Sequence, residues 1–271
     1  MATILSYTEK SYRSIFISDV HLGTKDCRAE YLLNFLNSVD CQNLYLVGDI
    51  VDLWSMKKGI YWKESHNEVI RAILKKSKNG TRVIYIPGNH DEAFREHIGV
   101  TFGDIEIKEN CIHETADKRH FYVLHGDVFD SAVTCSKFVS LFGDHLYDFL
   151  LWCNRLVNRF RIKFGMPYWS LANYIKSRVR NALSYIERYQ DAVMHAAKHK
   201  AVDGVICGHI HHADVTEKDG ILYCNTGDWV ESCTAITEKH NGEISLIHWT
   251  EQTAVLKIEQ SYAADKLADA A

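Results

Sequence analysis

Short runs of β-branched and aromatic residues alternate along the chain with longer stretches in which apolar residues recur every three or four positions. The runs predict buried strands at Ser14–Ser18, Leu44–Val47, Arg82–Ile86, Phe121–Leu124 and Gly204–Cys207. The stretches that separate the first three runs have the spacing of amphipathic helices, at Glu30–Asn37 and Ser65–Lys78. Because strand and helix alternate, the pattern favours a mostly parallel sheet covered by helices, which is an α/β fold.

Three further runs near the carboxyl end predict additional strands. They are Ile221–Cys224, Thr234–Thr237 and Ile244–Trp249, and turn-forming Asn, Gly and Asp residues separate them. This spacing is typical of an antiparallel meander, which we expect to pack against the parallel sheet or to extend it.

Residues 134–200 follow a helical period almost throughout, with one Gly-Met-Pro break at 165–167, and predict an inserted helical module. The module holds 11 Lys and Arg against 4 Asp and Glu, a net charge of +7, whereas the whole chain of 271 residues has a net charge of -4. It also contains 12 of the 31 aromatic residues. A solvated face and an aromatic core would account for each feature alone. Together they favour an anionic partner that has an apolar part, either a substrate or a membrane surface.

Composition narrows the class of protein. The net charge of -4 excludes a generally polycationic coat for nucleic acid, which makes nucleic acid a less favoured partner. The eight cysteines form no Cys-x-x-Cys pair, so we expect reduced thiols rather than disulfides. No apolar run is long enough for a membrane-spanning helix, and the first 13 residues lack the pattern of a secretory signal. We therefore expect a soluble, cytoplasmic protein.

Five short polar motifs follow the five predicted strands. In chain order they are Asp19-x-His21, Gly48-Asp49-x-x-Asp52, Gly88-Asn89-His90-Asp91, His125-Gly126-Asp127 and Gly208-His209-x-His211. Each motif alone is also compatible with a polar loop. On an extended segment, however, residues two apart face the same side and can reach one cation. Ligands bind outside the carboxyl ends of strands in open α/β sheets, so we expect the five motifs to meet at one edge.

Seven side chains in these motifs are potential ligands of divalent cations, with carboxylate, imidazole and amide donors. They are Asp19, His21, Asp49, Asn89, His125, His209 and His211. Seven donors suffice for two cations that share Asp49, and the set does not describe a structural zinc site of four cysteines. His90 is suited to donate a proton or to carry a positive charge, and Asp91 could orient its ring through the second nitrogen.

The ordered motifs resemble those of the calcineurin-like metallophosphoesterases, whose pattern is present here in full. The resemblance implies a four-layer αββα sandwich over residues 1–260, an insertion at about 134–200 and a tail at 261–271. It implies one metal ion on Asp19, His21, Asp49 and His211, and a second on Asp49, Asn89, His125 and His209. His90 would be the acid or transition-state stabiliser, with Asp91 behind it. Mn²⁺ is the expected ion, with Fe, Zn and Mg²⁺ as alternatives.

Within that superfamily, the chain is similar to the UDP-2,3-diacylglucosamine hydrolases of lipid A biosynthesis. The similarity rests on the segments Gly48–Trp54 and Asn225–Trp229 and on the helical insertion. It implies hydrolysis of a lipid-linked sugar nucleotide to UMP and 2,3-diacylglucosamine 1-phosphate (lipid X), with peripheral contact at the cytoplasmic face of the inner membrane. The substrate would be bound by Asn89, His90, Ser170, Asn173, Lys176 and His209.

Two other functions stay open at this level. The first is a metallophosphodiesterase or phosphatase that acts on nucleotides, nucleic acid or phosphoprotein. Several of the lipid enzymes have arginine at the position of His90, and Gly-Asn-His-Asp is the general motif of the superfamily. The second is a binding scaffold without catalysis, although a scaffold would not require seven ligands and His90. The sequence leaves the oligomeric state open.

Overall fold

Two β-sheets form the centre of the computed structural model, which describes residues 11–133, 153–159, 161–164 and 180–250. The larger sheet contains β1 (Ser11–Ile17), β2 (Asp40–Val47), β3 (Arg82–Ile86), β4 (Thr101–Phe102), β5 (Ile105–Ile107), β11 (Thr234–Glu238) and β12 (Ile244–His248). Their order across the sheet is β12-β11-β1-β2-β3-β5-β4. Strands β1, β2, β3 and β5 pair in parallel, whereas β4, β11 and β12 pair antiparallel with their neighbours.

The smaller sheet contains β6 (Cys111–Glu114), β7 (His120–Val123), β8 (Gly204–Cys207), β9 (Asp214–Lys218) and β10 (Ile221–Asn225). Their order is β6-β7-β8-β10-β9. The three central strands are parallel, and the edge strands β6 and β9 pair antiparallel with them. The parallel strands of both sheets therefore supply the ends at which ligands bind in α/β folds.

Helices α1 (Ala29–Ser38), α3 (Glu64–Lys78) and α4 (Arg180–His199) cover the outer faces of the sheets. The short helix α2 (Leu53–Met56) has no buried residue, and 3-10 helices lie at Glu92–His97 and Asp127–Val133. In α3, the buried residues Val69, Ala72 and Ile73 have the spacing of one helix face. Helix α1 packs with α3 on the larger sheet, and α4 packs on the smaller sheet.

The alternation of side chains along β1 separates two hydrophobic layers. Ile15 and Ile17 belong to the core beneath α1 and α3. Phe16 points the other way, into a core that it shares with Phe121 and Ile206 of the smaller sheet. The layers therefore run helix, sheet, sheet, helix, which confirms the predicted four-layer αββα architecture.

The predicted meander is wrong in its first strand. β11 and β12 do form an antiparallel pair, but β10 belongs to the smaller sheet, where it is parallel to β8. The loop after β10 carries the chain from one sheet to the other, so neighbours in sequence are not neighbours in a sheet. The pattern also missed β9, because this edge strand is largely exposed and carries Asp214, Glu217 and Lys218.

The structure describes part of the predicted helical module. Residues 153–159 and 161–163 are helical, as is α4, in agreement with the helical period. Ser170, Asn173 and Lys176 lie outside the described residues, so their substrate role and the bounds of the module stay predictions. Across the part that is described, no helix combines the length and apolarity that crossing a membrane requires. The seven cysteines within it are free thiols, and five of them are buried.

A buried polar network joins the two sheets. Glu238 of β11 is fully buried and accepts hydrogen bonds from Ser14 Oγ and Arg13 Nη1, both at 2.7 Å, and from the Ala116 amide at 2.8 Å. His113 of β6 reaches the same carboxylate from the smaller sheet, with its Nε2 at 2.9 Å. Burial by itself raises the pKa of Glu238, but the hydrogen bonds from His113, Ser14 and Ala116 outweigh it and lower the pKa to about 2.

Candidate metal centre

The five polar motifs meet at one edge of the sandwich, as predicted. The first three follow β1, β2 and β3 of the larger sheet, and the last two follow β7 and β8 of the smaller sheet. The backbone beyond β1 pairs with the backbone beyond β2, since the amides of Val20 and His21 both bond to the Asp49 carbonyl oxygen at 2.9 Å. The candidate ligands therefore come from both sheets.

Asp19, His21 and His211 form the first cluster. His211 Nε2 lies 3.2 Å from Asp19 Oδ1 and 3.3 Å from His21 Nε2. Ligand atoms that share one cation lie about 3 Å apart when each is about 2.1 Å from the ion. The three side chains are thus at the separation expected of ligands to one ion.

Asp49, His125 and His209 form the second cluster, in which one donor atom of each lies within 4.8 Å of the others. His125 Nε2 is 3.3 Å from Asp49 Oδ2 and 3.3 Å from Asn89 Oδ1. His125 Nδ1 bonds to the Val47 carbonyl oxygen at 2.9 Å, which leaves Nε2 as the free ligand atom. This cluster corresponds to the second predicted ligand set.

The backbone at the ligands is not extended. Asp19, His21, Asp49, His209 and His211 have φ values of 50°, 53°, 54°, 72° and 51°, in the left-handed region that residues other than glycine seldom adopt. Asp19 and His21 fall in one cluster, whereas His209 and His211 fall in different clusters, and each of these residues turns out of the strand direction. The prediction that they would meet is correct, but its reason, a shared face of an extended segment, is wrong.

Gly88 lets two elements approach closely. A Cβ atom at this position would collide with Asp49 Oδ1 and would lie 2.7 Å from His125 Nε2. The Gly of the Gly-Asn-His-Asp motif is therefore required by the packing of ligands from β2 and β7 around the turn that follows β3.

Asp52, rather than Asp91, lies beside His90. Asp52 is buried, with Oδ1 at 3.1 Å from His90 Nδ1 and Oδ2 at 2.9 Å from His21 Nδ1. Its Oδ1 also accepts a hydrogen bond from the Ser55 amide at the start of α2. Asp52 is not among the predicted site residues, although it closes the Gly-Asp-x-x-Asp motif, which could have pointed to it.

Asp91 has a different environment from the one predicted. Its carboxylate is fully buried and accepts hydrogen bonds from the Gly88 amide at 2.6 Å, the Ile50 amide at 2.8 Å and the Tyr85 hydroxyl. Burial raises its pKa. Asp91 thus holds the turn after β3 in place, and the expectation that it orients the His90 ring is wrong.

Opposite charges at the centre shift the pKa values of its groups. Burial lowers the pKa of His21 and His125, but carboxylates outweigh it: Asp52 and Asp49 raise the pKa of His21 to about 9, and Asp49 raises that of His125 to about 10. Burial likewise opposes ionisation of Asp49 and Asp19. His125 nevertheless lowers the pKa of Asp49 to about 2, and His211 holds the pKa of Asp19 well below its ordinary value.

The donor set fits divalent metal ions. Among the described residues Asp19 Oδ1 is buried and has no hydrogen-bond partner, which is costly for a carboxylate oxygen unless another group, such as a cation, neutralises it. The mixture of carboxylate, imidazole and amide donors suits Mn²⁺, Fe and Zn, and the carboxylates also suit Mg²⁺. The side chains of this site therefore suit the binding of a divalent cation.

An aromatic and basic segment, residues 53–63, lies next to His90. Trp54 is 54% exposed, its ring meets the His90 ring edge-on with centroids 5.2 Å apart, and Lys58 Nζ lies 5.5 Å from the Trp54 ring centre. A cavity of about 360 Å³ separates this segment from the turn after β3. It is lined by Leu53, Trp54, Met56, Lys57, Ile60, Asn89, His90, Glu92 and Ala93.

Known proteins with similar sequences include phosphoester hydrolases. The sequence profile of the calcineurin-like phosphoesterases matches residues 12–213. A UDP-2,3-diacylglucosamine hydrolase of Neisseria gonorrhoeae is 37% identical over 82 residues, 29% of this chain and 33% of that protein. A protein of the same name from Blochmanniella pennsylvanica is 26% identical over 117 residues, 42% of this chain and 46% of that protein. The matches thus span less than half of each curated relative.

Solved structures are similar at lower sequence identity. A novel archaeal phosphodiesterase has a TM-score of 0.42 and 15% identity, over 86% of this chain and 98% of that one. The profile match extends over most of the chain and includes the five motifs of the candidate metal centre. The chain belongs to the calcineurin-like phosphoesterase family.

Proposed function

We propose that the protein is a metal-dependent phosphohydrolase that cleaves the pyrophosphate of UDP-2,3-diacylglucosamine, giving UMP and 2,3-diacylglucosamine 1-phosphate. The observation that carries the hydrolase proposal is the pair of ligand clusters at one edge, which are linked because His21 of the first and Asp49 of the second lie together with His90. The substrate is proposed from the names of the curated relatives.

Seven residues would hold two divalent ions: Asp19, His21, Asp49 and His211 the first, and Asp49, Asn89, His125 and His209 the second. Such ions, when bound, activate water and neutralise charge that develops on a phosphoryl group. We propose Mn²⁺, with Fe, Zn and Mg²⁺ as alternatives.

His90 would neutralise a phosphoryl oxygen or protonate the leaving oxygen. One of its ring nitrogens lies within 4.8 Å of donor atoms of His21 and Asp49, which would put it close to the reacting group. Asp52, whose Oδ1 lies 3.1 Å from His90 Nδ1, would hold the ring in position. A general acid in this position contributes about 10²- to 10⁴-fold in rate.

The aromatic and basic segment 53–63 supports a substrate with both an apolar and an anionic part. Trp54 and Ile60 expose apolar surface beside His90, and Lys57 and Lys58 place positive charge next to it. This combination of groups also occurs where proteins touch anionic membranes. We propose that the protein meets its lipid-linked substrate at the cytoplasmic surface of the inner membrane.

Release of UMP from UDP-2,3-diacylglucosamine tests the proposal. Purified protein with Mn²⁺ and detergent should release UMP. In Asp49→Ala the rate of UMP release should fall at least about 10³-fold, because both ligand sets lose a carboxylate. Asp40→Ala is the matched control, since Asp40 begins β2 at the end far from Asp49 and its side chain is 92% exposed.

The other outcomes separate the parts of the proposal. Turnover of a generic aryl phosphodiester without UMP release would keep the phosphohydrolase and overturn the lipid substrate, in favour of nucleotides, nucleic acid or phosphoprotein. Equal activity of Asp49→Ala and the wild type would overturn the metal centre itself.

A further inference from the structure

We propose that Asp130 is a positioning residue that fixes the ring of His209 for metal binding, and that Tyr185 of α4 holds Asp130 in place. The inference rests on the proposed function, because it takes His209 as a ligand. Asp130 Oδ1 lies 2.8 Å from His209 Nε2, and the Tyr185 hydroxyl donates to the same oxygen at 3.0 Å.

The contact with Asp130 decides which nitrogen of His209 can bind a cation. A neutral imidazole has one N–H donor and one free nitrogen. With Nε2–H donating to a carboxylate, Nδ1 is the nitrogen left for the cluster with Asp49 and His125. The His209 amide meanwhile donates to Asp19 Oδ2 at 2.9 Å, so backbone and ring are both fixed.

Two other imidazoles in the centre follow the same arrangement. His21 is held through Nδ1 by Asp52, and His125 is held through Nδ1 by the Val47 carbonyl oxygen. Partners of this kind set the orientation and basicity of a ligand, and their loss costs about 10- to 100-fold in metal affinity. Asp130 gives His209 the partner that Asp52 and Val47 give the others.

Helix α4 braces His209 at two successive turns. Tyr185 holds Asp130, and Tyr189, one turn later, donates to the Gly208 carbonyl oxygen at 3.4 Å, with its ring centre 6.1 Å from that of His209. Tyr189 is fully buried, and a Cβ atom at Gly126 would collide with its hydroxyl. The position of α4 therefore sets the position of this ligand.

Titration of the purified full-length chain with Mn²⁺, followed by calorimetry without substrate, tests the inference. Asp130→Ala should weaken one of two Mn²⁺ sites by about 10- to 100-fold and leave the other unchanged. Asp130→Asn should lose less Mn²⁺ affinity at that site, because its amide oxygen can still accept from Nε2–H. The Mn²⁺ affinity of Tyr185→Phe should lie between those of Asp130→Asn and the wild type. Asp191→Ala is the matched control, since Asp191 lies on α4 and pairs with Lys218.

A spectroscopic readout separates positioning from folding. With ¹⁵N-labelled histidine and diamagnetic Zn²⁺, the wild type should show His209 with a protonated Nε2 and a metal-bound Nδ1. Asp130→Ala should lose the hydrogen-bonded Nε2–H signal while its circular dichroism stays unchanged.

His209→Ala tells the two possible failures apart. If His209→Ala weakens one Mn²⁺ site and the Asp130 variants do not, the role of Asp130 is overturned and the metal centre stands. If His209→Ala binds Mn²⁺ like the wild type, the ligand assignment and the inference both fall.

Discussion

Several residues of the candidate metal centre have a left-handed backbone conformation that their sequence motifs do not predict. The motifs identify which side chains meet, because five strand ends with Asp, Asn and His converge in an α/β fold. They do not indicate that the backbone of Asp19, His21 and His211 lies in the left-handed region. Such residues cost about 1–3 kcal/mol each and persist where surrounding contacts determine them. Here such contacts include the backbone hydrogen bonds from Val20 and His21 to the Asp49 carbonyl oxygen, which join the loops after β1 and β2.

Asp52 and Asp91 allow a test of which carboxylate assists His90. Asp52→Asn should lower kcat about 10- to 100-fold at saturating Mn²⁺, because His90 and His21 lose a charged partner. Asp91→Asn should instead lower the free energy of unfolding by about 1–3 kcal/mol, since an amide NH₂ would face the donors around it.

Steady-state kinetics and urea unfolding of both variants check this prediction. A fully active Asp52→Asn enzyme, or an Asp91→Asn enzyme that is inactive yet as stable as the wild type, would restore the assignment that the sequence favours.

At the level of elements, the central strands and α1 and α3 could be predicted because each buries apolar residues with a clear period. Pairing could not be predicted where the chain changes sheets. The loop after β10 shows this, since alternation in β10, β11 and β12 carries no information on which sheet each strand joins. The strand β4 is exposed and has only two residues, which is too short to show an apolar period.

The network at Glu238 predicts how the joined sheets respond to acid. Its pKa is lowered to about 2 in the folded protein, so the unfolded chain takes up the proton first as pH falls. The ionised Glu238 thus adds about 3 kcal/mol to the free energy of unfolding. This contribution is complete above about pH 4.5 and is lost as pH falls towards 2.

Urea unfolding of Glu238→Gln, measured from pH 7 to pH 3, checks the network. The variant should be less stable at neutral pH and should lose less stability than the wild type on acidification. The exposed Glu243→Gln serves as control, since it pairs with Lys239 at the surface. Parallel pH profiles for wild type and Glu238→Gln would contradict the prediction.

Across the whole molecule, the proposed metal binding would be coupled to folding. Ions that bind the folded chain stabilise it by mass action, by about 2.7 kcal/mol per site at 100 times the dissociation constant. Mn²⁺ should therefore raise the Tm of the wild type, and Asp49→Asn should reduce the increase because both ligand sets share that carboxylate. Asp40→Ala should behave as the wild type in differential scanning fluorimetry. A wild-type Tm that does not respond to Mn²⁺, Fe²⁺, Zn²⁺ or Mg²⁺ would contradict the metal centre.

The candidate ligands are divided between the two sheets. Asp19, His21 and Asp49 extend from the larger sheet, whereas His125, His209 and His211 extend from the smaller sheet. Each proposed ion would thus take ligands from both sides and would act as a cross-link at one end of the sandwich, much as a disulfide closes a loop. The network at Glu238 joins the same two sheets through His113. A shortage of metal would therefore remove a cross-link between the sheets as well as turnover, and would leave the shared core around Phe16 and the network at Glu238 to hold the sheets together.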